Sequence, residues 1–260
     1  MIKPLLSEDA VSEVVDYVTI LGILVISIGI IGVAGYPMVK NAQEANYIEN
    51  TKQSFIVLAD NVNKVVLGQA PSQNVELKLY GGTLSANGSS TITVNFTIYN
   101  QSNNPPYDNI TIYQQMRSIE STVGDTVIAY QGTGVWARYP NGYTLMVSKP
   151  LIANLSNMLV IPAVYISGTD SVGGSGMSRV VVDGVPGIIF YKNASNITVT
   201  VNSSYTGNYN TGGWANYLNK TMLWTIPIPG SCTPSSCTVQ FPRNNTDVYI
   251  LNIQLNTRIL

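Results

Sequence analysis

The residues from Tyr17 to Tyr36, YVTILGILVISIGIIGVAGY, form a run of twenty without a single charge. A bilayer core about 30 Å thick needs roughly 20 apolar residues as helix. No other stretch limits the possible folds so strongly, because such a helix must meet lipid or other apolar helices. The preceding residues, MIKPLLSEDAVSEVVD, hold four acids and one lysine. A cleavable secretory signal has a basic start, a shorter apolar core and a small-x-small cleavage site. Here the start is acidic, the run is long, and PMVKNAQEANY follows it. The segment therefore reads as an anchor or an assembly rod. The glycines at 22, 29, 32 and 35 allow close helix approach, although their spacing is not that of the common dimer motif.

Helical character continues beyond the run. MVKNAQEANYIENTKQSFIVLADNVNKVVLG is rich in helix formers and has no glycine before Gly68. Its apolar residues Ala45, Ile48, Phe55, Leu58, Ala59, Val62, Val65 and Val66 recur at helical spacing. The expectation is one nearly continuous helix from about 12 to 67, first apolar all round and then amphipathic. Pro37 removes one helix hydrogen bond and is expected to kink the junction. Lys40, Glu44 and Glu49 mark the return to water.

After Gly68 the pattern changes to alternation punctuated by turns. Ile92, Val94, Phe96 and Ile98 share one strand face, after a turn expected at Gly81-Gly82. Asn141-Gly142 and Asp183-Gly184 are further turn signals, and ASNITVTVNSS and TDVYILNIQLNTRI read as strands. One short helix is expected at 213–223. The fold class is thus α+β: a long N-terminal hydrophobic helix followed by a mainly antiparallel β-rich globular domain. The expected organisation is a polar leader over 1–16, a rod helix over 17–67 and an extracytoplasmic β domain over 68–260.

Composition narrows the functional classes. The chain has 13 basic and 14 acidic residues among 260, so only 10% are charged, against about 25% in ordinary soluble proteins. No basic surplus exists to bind nucleic acid. Histidine, the commonest general base and metal ligand, is absent. Asp125, Asp170, Asp183 and Asp247 are scattered singly beside Gly, Ser or Thr. VGGSGMS at 172–178 lacks the lysine of a phosphate loop and reads as a surface loop. No catalytic residue, cofactor or metal site is expected, and the chain is not expected to be an enzyme.

Two features point outside the cell. Cys232 and Cys237 are separated by four residues including Pro234. No second cysteine pair or histidine completes a zinc site, so a disulfide closing a short loop is favoured over free thiols or a metal. A disulfide belongs to an oxidising compartment. Ten Asn-x-Ser/Thr sequons occur, at Asn87, Asn95, Asn100, Asn109, Asn154, Asn193, Asn196, Asn202, Asn219 and Asn244. Chance placement of 26 Asn and 45 Ser or Thr in 260 residues predicts about 4 or 5. All ten lie beyond residue 86, which suits a glycan-bearing exterior domain, with Asn95 in its strand a candidate to stay bare.

The segment AVSEVVDYVTILGILVISIGIIGVAGYP resembles the N-terminal segment of archaeal type IV pilin-like and archaellin-like proteins. NTKQSFIVLADNVNKVVLGQAPSQNVELKLYGGTLS, GDTVIAYQGTGVWARYPNGYTLMVSKP and GGWANYLNK are similar to successive blocks in a mainly haloarchaeal family of membrane-anchored surface proteins of unassigned function. The resemblance implies processing near Ala10 and Val11, with Glu13 where pilins carry an acid for a neighbour's amine. It departs from the family in lacking the basic residue that usually precedes the cleavage site. It also implies packing through the rod, for which Tyr17, Leu21, Leu24, Ile28 and Ile31 are the candidates. The expected function is a pilin-like subunit of a surface filament or membrane-anchored assembly. Its expected partners are further copies or related subunits, the membrane and covalently attached glycans. The alternative is a monomeric, membrane-tethered binding or adhesion module, for which sixteen tyrosines would supply contact surface.

Overall fold

A computed structural model of the chain describes residues 8–103, 106–207, 212–227 and 231–260, with the backbone alone at 8–13. Met1 to Ser7 lie outside the described residues. The chain divides into two compact units, Met1–Asn46 and Tyr47–Leu260.

The apolar run is helical throughout. Helix α1 spans Glu8–Ile30, a π-helical turn covers Ile31–Gly35, and α2 spans Tyr36–Val66. The polar leader expected over 1–16 is therefore already helical from Glu8. The wide turn falls just ahead of Pro37, which has no N–H for the helix ladder and whose ring crowds the carbonyl four residues back. Local rewinding absorbs the proline, and the helix continues.

The boundary of the globular unit differs from the one expected at 67/68. Thr51, Phe55, Leu58, Ala59, Val62, Val65 and Val66 are buried. The physical reason is the apolar stripe, which needs cover and finds it on the sheet. Ile48 packs against that core at its margin, whereas Ala45, expected on the same stripe, is exposed and belongs to the first unit.

The sheet has eleven strands among the described residues. These are β1 (Ser72–Tyr99), β2 (Tyr107–Val123), β3 (Thr126–Gln131), β4 (Gly134–Arg138), β5 (Thr144–Ser148), β6 (Ala153–Leu155), β7 (Met158–Ser167), β8 (Ser171–Asp183), β9 (Gly187–Asn202), β10 (Ser236–Gln240) and β11 (Thr246–Ile259). Their order is β10-β9-β11-β8-β1-β2-β3-β4-β5, with β7 beside β11 and β6 beside β7. All ladders are antiparallel except β7 with β11. The α+β class read from the sequence is thus the fold.

Gly81-Gly82 is not a turn. It is a bulge inside β1, where two residues face one of β8 between the pairs Tyr80↔Ser175 and Thr83↔Gly173. A second slip opposite β2 lies between Asn87 and Ser90. Each one-residue slip exchanges the two faces of the strand. Leu77 and Leu79 face the helix; after the first slip Leu84 and Ala86 do so. After the second slip Ile92, Val94 and Phe96 enter the opposite cluster instead. A Cβ at Gly82 would lie 1.7 Å from the Thr122 carbonyl oxygen, so only glycine fits this bulge.

The central strands carry apolar residues on both faces. Ile128, Tyr130, Val135 and Ala137 pack under α2, while Ala129 and Trp136 face the second cluster with Trp214 and Trp224. Such two-sided burial explains the near-continuous apolar run TVIAYQGTGVWA. Gln131 ties several buried polar groups together there. Gln131 Nε2 donates to Ser90 Oγ (3.0 Å), and its Oε1 accepts from Ser203 Oγ (2.6 Å) and Trp214 Nε1 (3.3 Å).

The other turn signals divide. Asn141-Gly142 does sit in the β4–β5 hairpin, where Asn141 Oδ1 accepts from the Tyr143 amide at 3.0 Å. Asp183-Gly184 joins two strands that do not pair with each other; β8 and β9 run one after the other along β11. The glycine-rich 172–178 segment is strand, not loop, and belongs to β8. The short helix begins at Gly213 as α3 (Gly213–Asn216) and continues as a π turn over Tyr217–Thr221.

Candidate functional site

Two features offer functional chemistry. The first is the apolar helix. Tyr17, Leu21, Leu24, Ile28 and Ile31 are all exposed, Leu21 least at 50% and Ile31 most at 70%. The apolar part of this helix is 0% buried, and its length and composition suffice to cross a membrane. An added Cβ would meet nothing within 4 Å at Gly22, Gly29 or Gly32. Ala10, Val11 and Glu13 lie on the α1 backbone, while their side chains fall outside the described ones.

The second is a cleft of about 730 Å³ at one end of the β unit. Tyr99 closes β1, and Tyr107 and Asn109 open β2. Across from them stand Asn193 and Asn196 of β9, and Asn244 from the turn before β11. The rings of Tyr99 and Tyr107 meet edge to face, 5.8 Å between centroids, and both are more than half exposed. The Asn196 amide donates to Asn244 Oδ1 (3.1 Å), and the Asn245 amide donates to Ser195 Oγ (3.2 Å). These two bonds hold the opposing turns in register. Asn193, Asn196 and Asn245 all adopt φ of 53°, a left-handed conformation that asparagine tolerates better than most residues.

The sequons separate by exposure. Asn87, Asn109, Asn193, Asn196, Asn202 and Asn244 are exposed, whereas Asn95, Asn100, Asn154 and Asn219 are half-buried. The half-buried ones are occupied. Asn95 Oδ1 accepts from Thr111 Oγ1 (2.8 Å), Asn100 Nδ2 donates to Asp108 (2.7 Å), Asn154 Oδ1 accepts from Arg243, and Asn219 Nδ2 donates to the Trp224 carbonyl (2.8 Å). Sequence reasoning marked these asparagines singly and missed that four exposed ones share a cleft with Tyr99 and Tyr107. The available signal was a pair of asparagine-rich, tyrosine-flanked stretches, YNQSNNPPYDN and YKNASN.

Cys232 and Cys237 are joined by a disulfide, which closes a turn where the Thr233 amide donates to the Ser236 carbonyl (2.7 Å). The scattered aspartates tie turns. Asp170 accepts from the Ile259 amide (3.1 Å), Asp183 from Asn256 Nδ2 (2.9 Å) and Asp247 from the Asn193 amide (3.1 Å). Asp125 lies in the exposed turn between β2 and β3. Among the described residues no three His, Cys, Asp or Glu side chains gather where they could hold a metal ion.

Together these features define a class: one helix apolar enough to cross a membrane, joined to a disulfide-bearing, mostly antiparallel β domain. The chain belongs to a family of unknown function, DUF7289, whose model matches residues 10–257. An uncharacterized protein of Archaeoglobus fulgidus is similar, with 25% identity over 254 residues that cover 81% of this chain and 83% of its own. No solved structure shows a significant match to the chain.

Proposed function

We propose that the protein is a pilin-like structural subunit of the cell surface, anchored by Tyr17–Tyr36 and assembled by packing of those residues. The observation that carries this reading is the fully exposed apolar helix. Fully burying each large aliphatic side chain is worth roughly 1.5–3 kcal/mol, so lipid or neighbouring helices must cover it. The β domain stands outside the cell. The disulfide and the restriction of all ten sequons to residues beyond 86 support that side. The exposed sequon asparagines are the candidates for N-linked glycan, and no catalytic role is proposed.

The test places a charge in the run. Ile28→Asp is expected to abolish assembly, since a carboxylate at a helix centre costs about 2.5–3.5 kcal/mol on insertion scales. Electron microscopy of surface material from cells making the full chain reads assembly, and protease added to intact cells reads topology. Filaments from Ile28→Asp, or a body protected until lysis, would refute the reading. The polar cleft favours a second reading, a tethered binding module. Wild-type protein that stays monomeric in the membrane while binding a surface ligand would replace the first reading with it.

A further inference from the structure

We infer that the cleft between Tyr99, Tyr107 and the turns of Asn193, Asn196 and Asn244 is a binding site for a neutral saccharide. The inference is independent of how the apolar helix is used.

The lining decides the ligand's charge. Among the described residues no Lys, Arg, Asp or Glu side chain lines the cleft. Two carboxylates at neighbouring strand ends are already hydrogen-bonded. Asp247 accepts from the Asn193 amide, and Asp108 from Asn100 and Asn103. The described lining itself offers an anionic or cationic ligand no countercharge. The lining also decides polarity. An amide side chain offers two N–H donors and a carbonyl acceptor at once, and hydroxyl groups of a sugar ring need that mixture. Asn109 and Asn193 make no side-chain hydrogen bond among the described residues, and Asn244 uses only its oxygen. Their amide groups are thus available to a ligand.

Shape adds the third argument. Tyr99 and Tyr107 present exposed rings at a 75° interplanar angle, a corner in which the apolar face of a pyranose rests while its hydroxyls reach the asparagines. The volume of about 730 Å³ lies within the usual span of small-ligand sites, about 300–1,000 Å³. The site is also built. Three of the five non-glycine residues with positive φ among the described residues, Asn193, Asn196 and Asn245, line it. Such conformations concentrate at ligand clamps.

The saccharide has two possible sources. Asn109, Asn193, Asn196 and Asn244 each head a sequon, so a glycan carried by the chain itself would start inside the cleft. A free or cell-surface glycan would enter from outside. The experiment uses the full chain in detergent, from a host that attaches no N-glycans and from an archaeal host that does. The glycan-free chain is titrated with triacetylchitotriose, mannotriose and maltotriose, and with trigalacturonate as the charged control, by calorimetry and saturation-transfer NMR. Tyr99→Ala and Tyr107→Ala truncate exposed rings, and unchanged thermal melting verifies their folding.

Saturable binding of a neutral trisaccharide, weakened about tenfold by either substitution and absent for trigalacturonate, supports the site with an external ligand. If no trisaccharide binds, the archaeal preparation decides. A glycan mapped to at least one of the four asparagines, and trimmed by glycosidase several-fold faster in Tyr99→Ala, supports the site with the chain's own glycan. The absence of both trisaccharide binding and a tyrosine-protected glycan overturns the inference. So does tighter binding of trigalacturonate than of the neutral sugars.

Discussion

The two halves of the N-terminal helix share one secondary structure and opposite surroundings. From Tyr17 to Tyr36 apolar side chains point in every direction and all are exposed. From Tyr47 to Val66 most of them, Tyr47 and Val57 apart, occupy one stripe, and that stripe packs in the core of the β unit. A helix that is apolar all round asks for lipid or for other helices, whereas a one-sided stripe asks for a core. Pattern, rather than helix propensity, decides which part of one helix belongs to which solvent.

The largest effect expected from this contrast comes from truncation. A chain beginning at Tyr47 keeps Phe55, Leu58, Val62 and Val65 and is expected to be a soluble, cooperatively folding monomer. A chain beginning at Gln69 loses all of them and uncovers Leu77, Ile119, Ile128 and Leu251. It is expected to aggregate or to remain expanded. Sedimentation and circular dichroism of the two fragments check this, and a stably folded Gln69 fragment would show that the stripe is dispensable.

Single substitutions sharpen the contrast. Phe55 is 0% exposed, and Phe→Ala in a core costs about 3–5 kcal/mol. Phe55→Ala in the full chain should lower the unfolding free energy of the β unit by that amount. Ile23→Ala, on the exposed half, should leave it within about 0.5 kcal/mol. Denaturant unfolding followed by tryptophan fluorescence reads both, because Trp136, Trp214 and Trp224 all lie in the β unit. Equal effects would erase the distinction between the halves.

A smaller effect is expected at the polar clasp between helix and sheet. The Tyr130 hydroxyl donates to Asn63 Oδ1 (2.9 Å), and Asn63 Nδ2 donates to the Thr133 carbonyl (3.1 Å). Burial pushes the Tyr130 phenol far up, so it stays a donor in alkaline solution. Tyr130→Phe should cost about 0.5–1.5 kcal/mol, a fall of a few degrees in melting temperature. No change would mean that the apolar stripe alone holds α2.

These residues also show what the sequence could reveal. The stripe and the run at 17–36 were legible because periodicity is local. Ile92, Val94 and Phe96 were legible for the same reason. Gly81-Gly82 misled because a glycine pair serves a bulge as well as a turn, and only the partner strand distinguishes them. The β3–β4 turn escaped notice because its second residue is Thr133 at φ 68°, an unusual choice for a tight turn. The hydroxyl of Thr133 accepts from the Leu151 amide (2.9 Å), a contact the local sequence does not announce. The cleft was invisible for a stronger reason. Its described walls come from Thr97, Tyr99, Tyr107 and Asn109, from Asn193, Ser195 and Asn196, and from Asn244 and Asn245, distant segments that the β1–β2, β9–β1 and β9–β11 pairings bring together.

The smallest expected effect lies where the buried half begins. Glu49 pairs with Lys52 at 3.2 Å and accepts from Gln53 at 3.3 Å, while Lys52 stands 5.5 Å from the centroid of the Tyr139 ring. The hydrogen bond from Lys52, then that from Gln53, holds the Glu49 carboxyl below its ordinary range. A folded pKa below the unfolded value gives stability that is complete above the unfolded pKa. That stability disappears as the pH falls through the folded one. Glu49 is largely exposed, so solvent and salt screen the pair, and helical pairs at this spacing contribute about 0.2–0.5 kcal/mol. Glu49→Gln should therefore change stability by no more than that at neutral pH. The difference from wild type should vanish in acid, below the ordinary carboxyl value of 4.5, and shrink in 1 M salt. Parallel urea titrations at acid and neutral pH measure it. A loss above about 1 kcal/mol would mean that charge, and not only the apolar stripe, holds this half of the helix to its sheet.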